Sequence, residues 1–199
     1  MKCRILEKGT ELYFRYGVRS VTMDTIASEL GISKKTIYQH FPDKDAMVYQ
    51  VLESFIQNDF CKWEELNKSS KDVIHKTLQS LEIMKTTLSE MNPRLLFEVK
   101  KYFPKAYELF TKYKEDCIMN SLKVDLKTGI EQGYFRPEIE VDLIARLRMG
   151  EVDLSFDPNF YTHSKLSFFD TQQILLDHFM RGILTEKGLS LYLSYQNNN

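Results

Sequence analysis

The chain has 199 residues, 43% of them hydrophobic, which is enough to bury a substantial core in one large domain or two small ones. Its formal net charge of −1 argues against binding of nucleic acid over the whole surface. No apolar run approaches the ~20 residues of a membrane span. The distant cysteines Cys3, Cys61 and Cys117 form no metal-binding or disulfide pattern, so we expect a soluble cytoplasmic protein with reduced thiols and no membrane contact.

The charge is divided unevenly along the chain. Residues 1–50 hold 8 basic and 6 acidic side chains, whereas residues 51–199 hold 19 basic and 22 acidic ones. A mildly basic N-terminal part followed by an acidic body favours a local contact with DNA rather than a general affinity for it.

Three short helices are predicted in the N-terminal part, each with a start or stop signal. Residues 2–16 have apolar side chains at helical spacing, and Gly17 follows where a left-handed C-cap belongs. Thr22 is the predicted N-cap of the second helix and Ser33 that of the third, which Pro42 ends. Two short helices joined across a glycine turn are the pattern of a helix-turn-helix.

The rest of the chain shows helical periodicity and no convincing strand. Apolar residues recur at helical spacing between breaks formed by proline, glycine and polar runs. A loop is expected over residues 157–167, and Asp170 is expected to open the next helix through a capping box. We therefore predict an all-α fold. The predicted helices after the third cover residues 43–68, 71–91, a short stretch from 92, 105–132, 138–154 and 170–185, with a short last helix after Gly188.

The third helix presents side chains suited to DNA. Lys34 and Lys35 in its first turn can reach guanine edges or phosphates, and Gln39 is a candidate adenine reader. Hydroxyl, imidazole and ammonium groups around it can bind phosphate oxygens. An ordinary solvated helix end is the competing interpretation, but the clustering of these groups behind a helix-turn-helix pattern favours DNA. The predicted DNA-binding residues are Thr22, Ser33, Lys34, Lys35, Thr36, Tyr38, Gln39, His40 and Lys44.

This part of the chain resembles the TetR family of bacterial transcriptional regulators. Lys35 departs from the pattern, because many members have glycine there, and the choice between base and phosphate contact stays open at that position. The resemblance covers about the first quarter of the chain. It runs through Ile5-Leu6, Leu12-Tyr13, Gly17, Thr22, Ile26-Ala27, the stretch from Gly31 to Phe41, and Asp43-Lys44.

The resemblance implies a three-helix helix-turn-helix DNA-binding domain at residues 1–46, followed by a helical ligand-binding and dimerisation domain at residues 47–199. It further implies a homodimer that binds a near-palindromic operator in double-stranded DNA, most often as a repressor. In the family, a small-molecule effector moves the fourth helix, so that the recognition helices no longer match the groove repeat of ~34 Å and the DNA is released.

Two further sets of residues are candidates for an effector pocket and a dimer interface. The aromatic and methionine side chains of the first set could line a largely apolar pocket, although core packing is the better interpretation for any one of them. The second set could be a four-helix interface or internal core. Arg148 could bind an anionic effector or pair with Glu151. The pocket candidates are Trp63, Met84, Phe97, Phe103, Tyr107 and Phe110, and the interface candidates are Leu143, Leu147, Leu175, Leu176, Phe179 and Ile183.

An enzyme is the competing class of protein. The sequence has no glycine-rich phosphate loop after a strand, no nucleophile elbow and no HExxH pair, so we expect no catalytic residues, no metal and no cofactor. A DNA-binding architectural or adaptor protein without a ligand response is the alternative function. Loss of operator binding on addition of a ligand would separate a ligand-responsive regulator from such a protein.

Overall fold

The computed structural model describes residues 1–88, 91–92, 94–154, 156 and 166–197. Regular structure in these ranges is helical, apart from one isolated bridge between Phe135 and Leu184, which confirms the predicted all-α class. Most of the predicted loop at 157–167 lies outside the described residues. The helices are Lys2–Tyr16 (α1), Met23–Leu30 (α2), Lys34–Tyr38 (α3), Lys44–Ser69 (α4), Val73–Leu88 (α5), Leu95–Tyr102 (α6), Pro104–Tyr113 (α7), Asn120–Glu131 (α8), Val141–Leu154 (α9), Phe168–Ile183 (α10) and Glu186–Asn197 (α11), with a π-helical segment, Lys114–Met119, between α7 and α8.

The chain folds into two compact units, each with its own hydrophobic core. The first unit consists of Met1–Phe60 and Glu90–Tyr113, and the second of Cys61–Ser89 and Lys114–Asn199. Helix α4 begins in the first unit and ends in the second. The division predicted at residue 46 separates a DNA-binding function from a regulatory one. It is not a boundary between hydrophobic cores, and it stays a prediction.

The core of the first unit fixes the position of the short helix α3. The side chains of Ile5, Ile26, Ile37 and Met47 come from α1, α2, α3 and α4 and are completely buried. Burial of each such side chain stabilises the fold by roughly 2 kcal/mol. A five-residue helix has no stability of its own in water, so packing against α2 holds α3 in place.

Side-chain caps define the turn between α2 and α3 as the sequence predicts. The Thr22 hydroxyl accepts a hydrogen bond from the Thr25 backbone N–H at 3.1 Å, and the Thr25 hydroxyl accepts one from the Thr22 N–H at 3.3 Å. The Ser33 hydroxyl accepts a hydrogen bond from the Thr36 N–H at 3.1 Å. Gly31 lies between them with a φ of 64°, the left-handed conformation that glycine adopts most readily.

The second unit is a bundle around α5. Helix α5 contacts α8, α10 and α11, and α9 contacts α8 and α10. Its core includes Ile74 of α5, Leu126 of α8, Ala145 of α9, Met180 of α10 and Tyr192 of α11, all at most 1% exposed. Over the described residues of this unit, helical periodicity therefore identified the right kind of element, whereas the element boundaries needed the structure.

The single helix predicted over residues 105–132 is interrupted. Residues 114–119 form a π-helical turn, in which the backbone hydrogen bonds reach one residue further than in an α-helix. No proline or glycine marks this segment, so its sequence, KEDCIM, gives no signal for the wider turn. The run of helix is otherwise as long as predicted.

Two predicted caps are corrected by the structure. Gly17 has a positive φ of 83°, but its ψ of 157° is extended, so the chain leaves α1 without a left-handed helical turn. Helix α10 begins two residues before Asp170, because Ser167 is the N-cap and accepts a hydrogen bond from the Asp170 N–H at 3.1 Å. Asp170 completes this capping box, because its carboxylate accepts a hydrogen bond from the Ser167 N–H.

The sequence predicts that Gly188 separates two helices, but this residue lies inside α11. A Cβ atom at this position would lie 2.1 Å from the backbone oxygen of Tyr134 and 2.8 Å from a methyl group of Leu184. The break instead falls at Leu184, which is extended and forms the isolated bridge with Phe135. Gly188 therefore serves close packing rather than helix termination.

Candidate DNA-binding surface

Helix α3 exposes one face because its other face is anchored. Ile37 and, just beyond the helix, Phe41 are completely buried in the first unit. Lys34, Lys35 and Tyr38 are exposed, and the Tyr38 side chain retains 42% of its accessible surface. Gln39 is also exposed, and Thr36 and His40 are partly exposed. The packing of one apolar stripe thus turns most of the predicted contact residues towards solvent.

The two lysines of α3 are in different electrostatic surroundings. The Lys34 ammonium lies 2.8 Å from the carboxylate of Asp24 on α2 and 5.9 Å from the centre of the Tyr38 ring. The hydrogen bond to Asp24 raises the pKa of Lys34 above its ordinary value. Within the described residues Lys35 has no ion-pair partner, so its charge is the more available one for a base edge or phosphate.

Two predicted contact residues, Thr22 and Ser33, also serve as N-caps. The hydroxyl groups of Ser33 and Thr36 lie 2.9 Å apart, as do those of Thr22 and Thr25. Thr22 and Ser33 are exposed at helix N-termini, where free backbone N–H groups and the helix dipole favour an anion. Their hydroxyls can serve as caps and still face a phosphate, since each hydroxyl has one donor and two acceptor sites.

Lys44 is less free than the sequence predicts. Its ammonium lies 5.9 Å from the ring centres of both Tyr13 and Phe103, and burial lowers its pKa. The Tyr13 hydroxyl beneath it is buried without a hydrogen-bond partner among the described residues, and burial raises its pKa. A phosphate contact from Lys44 would need its ammonium to extend away from these rings.

The effector-pocket candidates are distributed over both units. Phe103 is buried in the first unit, and Tyr107 and Phe110 pack against the same core with their ring centres 6.3 Å apart. Phe97 is 49% exposed on α6. Trp63 and Met84 belong to the second unit, where both are partly buried. Because the candidates are divided between the two units, the effector pocket stays a prediction.

The dimer-interface candidates fall into an exposed and a buried set. Leu143 and Leu147 on α9 are 64% and 52% exposed, and Leu175 on α10 is partly exposed. Other exposed apolar residues on the same two helices are Leu154 and Ile174. In contrast, the side chains of Leu176, Phe179 and Ile183 are 3–6% exposed, because this face of α10 completes the core of a single chain.

The second unit contains buried polar groups, of which only the pairing of Arg148 with Glu151 is expected from the sequence. The Arg148 guanidinium is 9% exposed and donates hydrogen bonds to Glu151 at 3.2 Å and Gln172 at 3.3 Å. The Lys76 ammonium lies 2.6 Å from the Asp125 carboxylate at the edge of a cleft of about 500 Å³. Apart from Arg148 and Glu151, these partners are far apart in sequence, so no short motif could have indicated them. Burial lowers the pKa of Arg148 and raises that of Asp125.

Neither a membrane span nor a metal cluster is found among the described residues. None of their helices is both long and apolar enough to cross a bilayer. No group of three or more metal-binding side chains is brought together in the described ranges. The cysteines Cys3, Cys61 and Cys117 are free thiols.

Known proteins resemble this chain both in its helix-turn-helix and over most of its length. The family profile described as bacterial regulatory proteins, tetR family, matches residues 5–51. The transcriptional repressor KstR2 of Mycobacterium tuberculosis is 31% identical in an alignment over 149 residues that covers 71% of this chain and 72% of the repressor. The transcriptional regulator YvaF of Bacillus subtilis is 29% identical over 94% of this chain and 97% of its own.

A solved structure shares the fold at lower sequence identity. A transcriptional regulator from Saccharomonospora viridis, determined in complex with choline, superposes with a TM-score of 0.77. The two are 22% identical, and the match covers 93% of this chain and 98% of that one. At this identity the likeness concerns the fold alone.

Proposed function

Because this chain belongs to the TetR family of bacterial regulatory proteins, we propose that it is a homodimeric repressor that binds a near-palindromic operator through α3 and is released from it by a small-molecule effector. Family membership makes it a DNA-binding transcriptional regulator. The operator, the assembly and the effector are the proposed parts, and so is the division into a DNA-binding domain at residues 1–46 and a regulatory domain at residues 47–199. The proposed place of action is the cytoplasm, where bacterial DNA lies.

The observation that carries the proposal is the exposed face of α3. Lys35 on α3 and Gln39 at its C-cap are one helical turn apart and both exposed, and the opposite face of the helix is anchored by Ile37. We assign base readout to Lys35 and Gln39, because ammonium and carboxamide groups pair with guanine and adenine edges in the major groove. Thr22 and Tyr38 are assigned to phosphates, as are the remaining predicted contacts, Ser33, Lys34, Thr36, His40 and Lys44.

Dimerisation is proposed through α9 and α10. The exposed leucines Leu143, Leu147 and Leu154 follow one another at helical spacing, and Ile174 is exposed on α10. A row of exposed apolar side chains on adjacent helices is typical of a surface that a second protein covers. Two copies of the surface related by a two-fold axis would form a closed interface and place two α3 helices on one operator.

The proposed effector is a small, largely apolar molecule. Aromatic side chains of the pocket candidates, such as Tyr107 and Phe110, support an apolar site. The fold is known to accommodate a small molecule, since its Saccharomonospora viridis neighbour was determined with choline. Regulation rather than catalysis is proposed because the relatives are regulators.

The proposal is tested by selecting bound duplexes from a random pool with the purified full chain. We expect the selection to converge on a two-fold symmetric site that a dimer binds about 10³-fold or more tightly than a scrambled duplex. The affinity should fall steeply between about 0.05 and 0.2 M salt, because phosphate contacts dominate it. Equal, salt-sensitive affinity for every duplex would contradict the proposal and favour an architectural protein.

A further inference from the structure

A second basic surface lies in the first unit, outside the helix-turn-helix. Arg19, in the turn before α2, places its guanidinium 5.5 Å from the centre of the Tyr102 ring. The ammonium of Lys101 lies 5.4 Å from the centre of the same ring. We call Arg19, Lys101 and Tyr102 the Arg19 patch; Arg15 and Tyr16 at the end of α1 adjoin Arg19 along the chain, with the Arg15 guanidinium 5.4 Å from the Tyr16 ring.

The cations of the Arg19 patch and the neighbouring Arg15 are open to solvent. Arg15, Arg19 and Lys101 are exposed and have no ion-pair partner among the described residues. The tyrosines are exposed too, with 51% of the Tyr16 and 41% of the Tyr102 surface accessible. By contrast, Lys34 in the helix-turn-helix is paired with Asp24. Exposed cations stacked on exposed aromatic rings are suited to a partner that offers phosphates.

Two hydrogen bonds join the α6 part of this surface to α1 and to the turn before α2. The Glu98 carboxylate of α6 accepts a hydrogen bond from the backbone N–H of Arg19 at 2.9 Å. The backbone N–H of Asn92, just before α6, donates to the carbonyl of Phe14 in α1 at 2.6 Å. These bonds place α6 beside α1 and the turn that leads into α2, and the Arg19 and Lys101 cations lie against the same Tyr102 ring, so they belong to one surface.

The position of Arg19 in the chain points to the partner. Arg19 precedes Thr22, a proposed phosphate contact at the N-terminus of α2, by three residues, which span at most about 10 Å of backbone. An arginine side chain extends this reach further, and each DNA strand carries a phosphate for every ~3.4 Å along the helix axis. A strand held at Thr22 would therefore continue within reach of the Arg19 patch.

From this geometry we propose that the Arg19 patch binds the sugar-phosphate backbone of the DNA that flanks each operator half-site. The contact carries no sequence information, because it meets phosphates and not base edges. It extends the stretch of DNA that the protein contacts beyond the bases that α3 reads, and it increases the salt dependence of binding. This inference rests on the proposed function, since it requires α3 to be placed on an operator.

The test compares two charge-matched variants on the selected operator. In Arg19→Gln/Lys101→Gln the patch loses both charges. In the control Lys68→Gln/Lys112→Gln two exposed lysines of α4 and α7, which have no ion-pair partner among the described residues, are neutralised instead. Each protein is titrated from about 0.05 to 0.3 M salt against an operator with about 10 extra base pairs on each side and against the bare operator. Unchanged thermal unfolding shows that both variants are folded.

We expect the patch variant to bind the flanked operator about tenfold or more weakly at about 0.15 M salt. The slope of log K against log salt should become shallower by about 0.9 for each phosphate that the protein no longer binds, hence by about 2 to 4 for a dimer. The wild type and the control should bind more weakly when the flanks are removed, whereas the patch variant should bind both duplexes alike.

Equal slopes for the patch variant and the control would overturn the inference, as would a wild type indifferent to flank length. Either result would leave the proposed function standing, provided that the wild type still prefers its operator to a scrambled duplex. Loss of that preference in the wild type would overturn both. A patch variant that bound the operator with normal affinity but lost regulation in cells would also overturn the inference. The patch would then be assigned to binding an acidic protein instead.

Discussion

The two units of this protein are specified by different kinds of interaction. In the first unit, the turn between α2 and α3 is set by hydrogen bonds between residues three apart, such as Thr22 with Thr25 and Ser33 with Thr36. The second unit has local contacts too, such as the Ser167–Asp170 capping box, but several of its polar contacts join distant parts of the chain. The Tyr195 hydroxyl donates to the Asp72 carboxylate across 123 residues, at 2.6 Å, and this bond raises the pKa of Tyr195 to about 12.

This difference explains why the DNA-binding part of the sequence is recognisable and the rest is not. A local hydrogen bond constrains residues at a fixed spacing, so it leaves a motif. A contact between remote residues constrains two positions whose spacing depends on the whole fold. A regulator can therefore keep a constant DNA-binding part while the body changes to suit a different effector. The predictions below test this contrast, from the largest expected effect to the smallest.

The largest effect is expected from charges on the exposed leucines of α9. Leu143→Arg/Leu147→Arg should give a folded monomer, because the guanidinium groups would be buried without partners in the proposed interface. Operator affinity should fall by about 10³-fold, towards the level for scrambled DNA. Sedimentation velocity and operator titration measure the two effects.

Val124→Arg is the matched control for the interface prediction. Val124 is 60% exposed on α8, outside the proposed interface, so the variant should remain dimeric and bind its operator normally. If the double leucine variant were as dimeric as this control, the interface would have to be sought elsewhere on the molecule.

Replacing the buried glycine of α11 should destabilise the second unit through packing alone. Gly188→Ala places a methyl group against the backbone oxygen of Tyr134, and a backbone atom cannot move aside as a side-chain tip does. We expect a loss of about 3 kcal/mol in the free energy of unfolding, measured by urea denaturation. A loss under about 1 kcal/mol would mean that α11 shifts easily, and would refute the packing role assigned to Gly188.

Lys76→Met should make stability depend on pH through Asp125. Burial raises the pKa of the Asp125 carboxyl and its hydrogen bond to Lys76 opposes that rise, so removing the lysine raises the pKa further. A folded-state pKa above the unfolded one stabilises the fold at low pH and loses that contribution as pH rises through the folded value. We expect the variant to be about 2 kcal/mol less stable than wild type at about pH 7, and the difference to shrink towards about pH 4.

The double variant Lys76→Met/Asp125→Leu provides the control for this pair. It removes both charges, so stability should return to near the wild-type value and the extra pH dependence should disappear. Urea denaturation at several pH values measures all three proteins. A single variant whose deficit is independent of pH would show that the lysine acts by packing rather than by charge.

The smallest effect on stability is expected at the glycine turn. Gly31 has a φ of 64°, and a Cβ there would meet no atom within 4 Å. Gly31→Ala should therefore lower the free energy of unfolding by about 1 kcal/mol, the cost of holding alanine in this conformation. Gly31→Asn should lose less, because asparagine tolerates this conformation. Equal losses for alanine and asparagine would contradict a purely conformational role and weaken the contrast with Gly188.

The sequence alone allowed the helical class, the two capped helices and the exposed face of α3 to be predicted. Each depends on local rules: helical spacing of apolar residues, a side-chain oxygen at an N-cap, and glycine at a left-handed position. The same rules mark Asp43, whose carboxylate accepts a hydrogen bond from the Ala46 N–H at 2.7 Å at the start of α4.

Non-local packing decided what the sequence could not. Periodicity identified α10 as amphipathic, but it could not tell whether the apolar stripe with Phe179 faced the chain's own core or a partner. The same limit applies to Lys44, which the motif placed at DNA and the fold places against two aromatic rings. The π-helical turn at residues 114–119 left no local signal at all.

The most direct test of the central claim, that α3 reads the operator, is a binding scan of Lys35→Ala and Gln39→Ala. Each variant and the wild type would be titrated against the selected operator and all its single-base-pair variants at fixed salt. We predict that each substitution abolishes discrimination at one base pair per half-site, worth about 1–3 kcal/mol, and leaves the other positions unchanged. Retention of the full wild-type preference at every position by both variants would contradict the claim.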